Sequence, residues 1–246
     1  MSDVVIIGSG HAGGQCAAAL RSSKFEGSIT IIGEETHPPY QRPPLSKGFL
    51  SGEVGIERVY LKKDDFYNKN NITLKLNNRV NLIDKDKKIV FFGDNQELPY
   101  KNLILATGSR VRKLDVPGSS LDNVGYLRNI EDVENLKDIL SKKSKVVIVG
   151  AGYIGLEVAS VCAQMESDVT VIEMADRVMN RTVDPIISDY YHKLHQSYGV
   201  KILLNTALQS FTGSKSVEKV ICSEGADLEA NVVIIGAGII PNTELA

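Results

Sequence analysis

Two glycine-rich segments have the spacing of a phosphate-binding turn. Each shows the pattern Gly-x-Gly-x-x-Gly directly after a short apolar run, in VVIIGSGHAGG and in VVIVGAGYIGLE. In such a turn the first glycine allows the tight bend, the second lets the backbone approach a pyrophosphate, and the third lets helix and strand pack closely. Amides at the start of the helix then attract the phosphate anion. The chain therefore predicts two dinucleotide sites, built on Gly8, Gly10 and Gly13 and on Gly150, Gly152 and Gly155.

An acidic residue follows each glycine pattern, at the end of the next apolar run. Glu34 lies 21 residues after the third glycine of the first pattern, and Glu173 lies 18 residues after that of the second. Both separations are close to the roughly 20 residues typical of a ribose-binding carboxylate. Because a carboxylate there repels a 2′-phosphate, Glu173 favours NAD(H) over NADP(H). Arg177 and Arg181 follow closely and could weaken that preference.

Hydrophobic periodicity predicts the elements that hold these turns. Each half of the chain begins with a strand, a glycine turn, a helix and a second strand. In the first half these are strand 3–8, helix 11–23 and strand 28–33, and in the second they are strand 145–150, helix 153–165 and strand 168–173.

The remaining segments also occur in similar pairs. Short strands at 72–76, 80–84 and 88–92 suggest a meander that crosses the main sheet, and further strands are predicted near 200–204, 207–211 and 217–222. NLILATG and VVIIGAG are each an apolar strand ending in glycine, which indicates an internal duplication. We expect an α/β fold of two Rossmann-like, three-layer ββα nucleotide-binding domains. Within the first half, HPPYQRPPLSKG at 37–48 is a proline-rich loop, with a short helix near 45–51.

Composition excludes several classes of function. A net charge of −2 with 43% hydrophobic residues gives no reason to expect nucleic acid or a membrane as a partner. The N-terminus enters strand-like sequence at once, which leaves no room for a signal peptide, so the cytoplasm is the expected compartment. Cys16, Cys162 and Cys222 are far apart and form no CxxC pair, which disfavours disulfide reduction. We predict no metal site.

Four segments together resemble a known family: PYQRPPLSKGFL, ATGS, GAGYIGLE and VIIGAGIIPNTELA. The chain is similar over residues 1–246 to the NAD(P)H-dependent flavoprotein reductases of oxygenase systems, which include rubredoxin, putidaredoxin and ferredoxin reductases. It is similar, more distantly, to apoptosis-inducing factor. PYxRPPLSK is the specific segment, because disulfide reductases and NADH oxidases share the double glycine pattern but generally carry a reactive cysteine on the flavin side.

The resemblance implies an FAD domain at 1–112, an NAD domain inserted at 113–241, and a return to the FAD domain at 242–246. In the FAD domain it implies that Lys47 lies beside the flavin N5, where a cation stabilises the reduced ring. The other residues implied at FAD are Gly8, Gly10, Ala12, Gly13, Glu34, Glu35, Arg42, Val80, Ala106, Thr107, Gly108 and Arg128.

The same resemblance assigns the NAD(H) site. The residues implied there are Gly150, Gly152, Tyr153, Ile154, Gly155, Glu157, Glu173 and Gly238. Tyr153 matches a ring that covers the flavin until nicotinamide displaces it, although packing on the sheet is an equally good interpretation. We hypothesise that Glu157 meets Lys47 across the domain interface and orients the nicotinamide amide, which would make Lys47 and Glu157 the catalytic side chains.

The implied function is electron transfer from NADH through FAD to a small ferredoxin or rubredoxin that serves an oxygenase. One alternative is an NADH-sensing flavoprotein like apoptosis-inducing factor; an NADH oxidase or peroxidase is disfavoured by the missing cysteine. In the family a return strand, an aspartate motif and a third domain follow the position of Ala246. We therefore expect a truncated chain that holds FAD weakly and turns over poorly, or an inactive fragment.

Overall fold

The computed structural model describes residues 1–63, 65–141, 143–225 and 227–246, and it contains sixteen strands and six α-helices in these residues. The strands are β1 (Ser2–Ile7), β2 (Ile29–Ile32), β3 (Ile72–Lys75), β4 (Val80–Asp84), β5 (Ile89–Phe92), β6 (Gln96–Leu105), β7 (Ser109–Val111), β8 (Val124–Tyr126), β9 (Lys145–Val149), β10 (Asp168–Ile172), β11 (Lys201–Leu203), β12 (Leu208–Thr212), β13 (Lys219–Cys222), β14 (Asp227–Glu229), β15 (Val232–Ile235) and β16 (Ile239–Pro241). The helices are α1 (His11–Ser22), α2 (Gly48–Ser51), α3 (Asp65–Lys69), α4 (Ile130–Ile139), α5 (Tyr153–Gln164) and α6 (Pro185–Ser197). None of the helices in the described residues is long and apolar enough to cross a membrane.

The chain forms two compact units. The first contains Met1–Arg42, Gly55–Arg110 and Ile240–Ala246, and the second contains Pro43–Val54 and Val111–Ile239. The predicted α/β class, with one Rossmann-like unit inserted in another, is confirmed. The segment Pro43–Val54 packs with the second unit, although the sequence placed it in the domain at 1–112.

A six-stranded sheet, in the order β3-β2-β1-β6-β5-β4, forms the centre of the first unit. Strands β1, β2, β3 and the second half of β6 are parallel, and β1 and β2 are apolar runs because both faces of a parallel sheet are covered. The long strand β6 joins this sheet to the antiparallel hairpin β4–β5, since its first residues pair with β5 and its last with β1.

The expected meander differs from the observed one in its first strand. Strand β3 is a parallel edge strand beside β2, and Ile72 is buried in the core under α1. The crossing meander consists of β4, β5 and the start of β6. Alternating apolar residues predict a strand but carry no information about its partner, so the pattern grouped β3 with the wrong neighbours.

The second unit repeats this plan. Its parallel sheet has the order β11-β10-β9-β15-β8, and the antiparallel meander β12-β13-β14 forms a separate sheet. The order β11-β10-β9-β15 matches β3-β2-β1-β6 of the first unit.

Two helices of the second unit begin with favourable N-terminal residues. Helix α4 begins with a capping box between Asn129 and Asp132, and α6 begins with Pro185, a favoured first residue.

Candidate functional site

The first glycine turn joins β1 to α1 with three backbones in close contact. Gly8 has φ of 117°, and a Cβ there would lie 2.1 Å from the carbonyl oxygen of Ala106. A Cβ on Gly13 would lie 1.9 Å from the carbonyl oxygen of Gly8, so only glycine allows α1 to approach the strand this closely. A Cβ on Gly10 would meet nothing within 4 Å. Gly10 caps α1 without a side-chain hydrogen bond, so first-turn amides such as that of Ala12 are available to an anion.

The second turn has the same geometry. Gly150 has φ of 103°, and a Cβ there would lie 2.7 Å from the carbonyl oxygen of Gly236. A Cβ on Gly155 would lie 2.0 Å from the carbonyl oxygen of Gly150, whereas a Cβ on Gly152 would meet nothing within 4 Å. Gly152 caps α5, again without a side-chain hydrogen bond. Both turns therefore leave open space in front of a helix N-terminus, as a pyrophosphate requires.

Backbone hydrogen bonds align the two units residue by residue. The amides of Gly8 and Gly150 donate to the last residues of β2 and β10, Ile32 and Ile172. The residues after these strands, Gly33 and Glu173, are therefore equivalent, and Glu34 lies one position further along. The similar spacing of Glu34 and Glu173 thus conceals a difference of one residue in register.

The Glu173 carboxylate is anchored beside the second turn. Its Oε2 accepts from the Ala151 amide at 2.8 Å, and its Oε1 accepts from the Ala175 amide at 2.9 Å. The side chain lines a cavity of about 610 Å³ together with predicted site residues of the same unit. These residues are Gly150, Gly152, Tyr153 and Gly238.

Arg177 does not point its charge at this cavity. Its guanidinium donates to the carbonyl oxygens of Val183 and Asn180, at 2.8 and 2.7 Å, and to the hydroxyl of buried Ser188 at 2.8 Å. Arg177 thereby ties the loop after β10 to α6, and residues of that loop, including Arg181, line the cavity. Three of the five guanidinium N–H donors of Arg177 are thus used within the protein, and Arg177 is not among the residues that line the cavity.

The first unit has a different arrangement at its acidic residues. Glu34 forms an exposed ion pair with Arg79 at 3.0 Å. Glu35 accepts from both Tyr40 Oη and Arg42 Nη2, and Arg42 Nη1 donates to Tyr40 Oη at 2.9 Å. The Arg42 guanidinium also stacks over the Tyr40 ring, 5.0 Å from its centroid. Glu35, Tyr40 and Arg42 thus form one half-buried cluster, which holds the arginine in place.

Lys47 and Glu157 meet within the second unit. Lys47 Nζ lies 2.6 Å from Glu157 Oε2 and donates to the Pro43 carbonyl at 3.2 Å. The same Oε2 accepts from Ser46 Oγ at 2.5 Å. The hypothesised contact is present, but both residues belong to one unit, because the segment of Lys47 packs on α5. Ser46 was not predicted, and its position beside Lys47 in the PPLSK motif was the available signal.

The turn after β6 is held by a residue that sequence reasoning missed. Thr107 Oγ1 donates to the Asn242 carbonyl at 2.6 Å, and Asn242 Nδ2 donates to the Thr107 carbonyl at 2.9 Å. The Asn242 amide also donates to the Gly108 carbonyl at 3.0 Å. Gly108 has φ of 65°, and a Cβ there would meet nothing within 4 Å. The PNTELA motif contains this asparagine, but no spacing rule connects it to a turn 135 residues earlier.

The remaining predicted site residues lie at the edges of elements. Val80 is buried at the start of β4, next to a register shift in its pairing with β5. Arg128 precedes α4, and its amide donates to Asp132 Oδ2 at 2.7 Å. Tyr153 and Ile154 are exposed in the first turn of α5. Of the residues predicted at NAD(H), Ile154, Gly155 and Glu157 are not among those that line the 610 Å³ cavity. Glu157 instead lines another cavity, of about 710 Å³, together with Lys47 and with Tyr153, which also lines the first cavity.

The cysteines are all free thiols. Burial raises the pKa of the Cys162 thiol to about 12, and it also raises the pKa of Cys222, with a further contribution from the Asp227 charge. A thiol with a raised pKa is a poor nucleophile at neutral pH, because the thiolate is the reactive form. Neither buried cysteine is therefore suited to disulfide exchange.

Comparison with known proteins gives consistent matches along the whole chain. The family model for pyridine nucleotide-disulphide oxidoreductases matches residues 2–246. A rubredoxin-NAD(+) reductase of Ectopseudomonas oleovorans is 41% identical over 244 residues, which is 99% of this chain and 63% of that protein. Putidaredoxin reductase of Pseudomonas putida is 40% identical over 250 residues, which is 99% of this chain and 59% of that protein.

A solved structure agrees with these relatives. The crystal structure of the covalent putidaredoxin reductase–putidaredoxin complex superposes with a TM-score of 0.96 at 39% identity, over 99% of this chain and 60% of that one. The chain thus spans about 60% of the length of the relatives it matches. On the family match, the two glycine turns and the repeated sheet order, the chain belongs to the pyridine nucleotide-disulphide oxidoreductase family.

Proposed function

We propose that this protein passes electrons from NADH through FAD to a ferredoxin or rubredoxin that serves an oxygenase. The relatives named above are reductases of rubredoxin and putidaredoxin, which supports an iron–sulfur or rubredoxin acceptor. The matched family also contains disulphide oxidoreductases. The raised pKa values of the buried Cys162 and Cys222 thiols argue against that chemistry here.

The observation that carries the proposal is the duplicated glycine turn. Both turns leave room at the second glycine and exclude side chains at the first and third, so each could hold the pyrophosphate of its own dinucleotide. We assign FAD to the first domain, residues 1–112 with 242–246, and NAD(H) to the second, residues 113–241. Two groups of the first unit would hold FAD. They are the half-buried cluster of Glu35 and Arg42 and the turn at Thr107–Gly108.

FAD, when bound, supplies the acceptor for a hydride and releases the electrons singly, so the protein needs no side-chain nucleophile. The Lys47 ammonium group is held in one position by its contacts with the Glu157 carboxylate and the Pro43 carbonyl. In this proposal Lys47 lies beside the flavin ring and Glu157 contacts the nicotinamide. They are the catalytic pair, although the contact between them lies inside the second unit.

We also propose that NADH is preferred over NADPH. The Glu173 carboxylate lines the cavity that contains the second glycine turn, and two backbone amides fix its position. A 2′-phosphate would approach this carboxylate, whereas Arg177 donates three hydrogen bonds to the loop after β10 and to Ser188 and does not line the cavity. Arg181 is the cation of the cavity lining that could offset the repulsion. Measuring Kd for both nucleotides, with Arg181→Ala beside the unmodified chain, tests this point.

The function is tested by separating binding from turnover. We would measure FAD and NADH binding by calorimetry, then NADH-dependent reduction of a [2Fe-2S] ferredoxin, a rubredoxin and ferricyanide. The proposal expects both nucleotides to bind and at least one protein acceptor to be reduced faster with NADH than with NADPH. Reduction of a disulfide substrate in preference to both protein acceptors would contradict it.

A further inference from the structure

The Glu157 carboxylate uses its two oxygens unequally. Ser46 Oγ donates to Oε2 at 2.5 Å, and Lys47 Nζ approaches the same Oε2 at 2.6 Å. Among the residues that the structure describes, no donor reaches Oε1. A carboxylate can accept on both oxygens, so Oε1 is left to accept a hydrogen bond from a bound molecule.

Ser46 and Lys47 differ in how firmly they can hold Glu157. Ser46 is buried, with 4% of its surface exposed, whereas half of the Lys47 side chain is exposed. A short buried donor loses little rotamer entropy, and its bond to a charged acceptor is weakly screened. A long exposed lysine loses more entropy, and solvent and salt screen its attraction. The hydroxyl is therefore the stronger constraint on the position of the carboxylate.

The segment around Ser46 is itself rigidly attached to the second unit. Leu45, Phe49 and Leu50 on either side of Ser46 are buried, with exposures of 1%, 3% and 1%. The Lys137 ammonium of α4 lies 3.7 Å from the centroid of the Phe49 ring, a cation–π contact. The backbone at Ser46 is therefore fixed, and the Ser46 hydroxyl constrains the side chain of Glu157, 111 residues away, through its hydrogen bond.

We propose that Ser46 is a positioning residue, which orients Glu157 so that its Oε1 accepts from the carboxamide of the nicotinamide ring. The inference rests on the proposed function, because it needs NADH in the second unit. It assigns to Lys47 the role of a charge near the flavin and to Ser46 the role of fixing Glu157. The adenosine half of the nucleotide would not depend on either residue.

The test compares NADH with ADP-ribose, which lacks the nicotinamide. In the FAD-saturated chain we would measure Kd for both ligands in the unmodified protein, Ser46→Ala, Glu157→Ala and the double variant. Ser46→Ala should weaken NADH binding by about tenfold, the loss of one charge-assisted hydrogen bond, and leave ADP-ribose binding unchanged. In the Glu157→Ala background, Ser46→Ala should cause no further loss, because residues that act through one another are not additive.

Two control variants separate positioning from folding. Ser51→Ala removes a hydroxyl of the same segment that donates only locally, to the Gly48 carbonyl at 3.2 Å, and it should leave both affinities unchanged. Ser46→Thr keeps the hydroxyl and should retain more NADH affinity than Ser46→Ala. Equal loss of NADH and ADP-ribose affinity in Ser46→Ala, or additive losses in the double variant, would overturn the inference. Failure of the unmodified chain to bind either ligand would instead refute the proposed function, and the inference with it.

Discussion

Replacing Gly152 by alanine tests whether the second glycine serves the ligand and not the fold. Gly152 has φ of −80° and ψ of −174°, a conformation that alanine adopts easily, and its Cβ would meet nothing within 4 Å. Since Gly→Ala at a compatible position reduces the entropy of the unfolded chain, the free energy of unfolding should stay level or rise by about 0.5 kcal/mol. The new methyl group would, however, occupy the space in front of α5.

Gly152→Ala should weaken NADH binding without lowering the free energy of unfolding. A methyl group at Gly152 would push the pyrophosphate away from the first-turn amides, with the loss of one or two charge-assisted hydrogen bonds. That loss corresponds to about 2 to 3 kcal/mol, or roughly a 30- to 150-fold higher Kd.

Gly155→Ala is the contrasting variant. Its Cβ would lie 2.0 Å from the Gly150 carbonyl oxygen, so α5 and β9 would have to separate. Such overpacking costs about 1 to 3 kcal/mol or more, so Gly155→Ala should lower the free energy of unfolding.

The same substitution in the first turn provides the internal control. Gly10→Ala has the same open surroundings, so it should impair FAD binding and leave NADH affinity unchanged. The assay is calorimetry with each ligand, beside urea unfolding of each variant. The reasoning would be refuted if Gly152→Ala bound NADH like the unmodified chain, or if Gly10→Ala and Gly152→Ala impaired the same ligand.

Three further outcomes follow from individual side chains. Arg177→Gln should release the loop that lines the 610 Å³ cavity and raise the Kd for NADH by about tenfold without changing FAD affinity, measured by calorimetry; an unchanged Kd would contradict the proposal that Arg177 holds this loop in place. The hydroxyl of Tyr67 is buried without a partner among the described residues, so Tyr67→Phe should leave stability level or raise it by about 1 kcal/mol in urea unfolding, and a clear loss would indicate an unseen partner. A thiol reagent at pH 8 should modify Cys16 in the native chain but not Cys162, whose pKa burial raises from 9.0 to about 12. Because the unfolded thiol ionises first, the free energy of unfolding should fall as pH rises from 9 to 12, by at most about 1.4 kcal/mol per pH unit from this group, and less steeply in Cys162→Ala.

Register and partner choice were the least predictable features. Counting residues from the glycine patterns placed Glu34 and Glu173 in matching roles, yet Gly33 is the residue equivalent to Glu173. Ile32 follows Gly13 by 19 residues and Ile172 follows Gly155 by 17, so equivalent positions lie at different separations in the two halves, and counting selected Glu34, one position beyond the equivalent Gly33. Alternation likewise predicted β3 but not that it pairs with β2.

The sequence by itself determined the two glycine turns, the strands and helices around them and the α/β class, because these depend on backbone conformation and periodicity over a few neighbouring residues. Only the tertiary structure decided that Ser46 and Lys47 share one oxygen of Glu157 and that Pro43–Val54 packs with the second unit. It also decided that Arg177 donates to carbonyl oxygens of the loop after β10. These contacts depend on which surfaces bury which side chains. Residues 111 positions apart meet because apolar neighbours such as Phe49 fix the segment, and no local pattern encodes that choice.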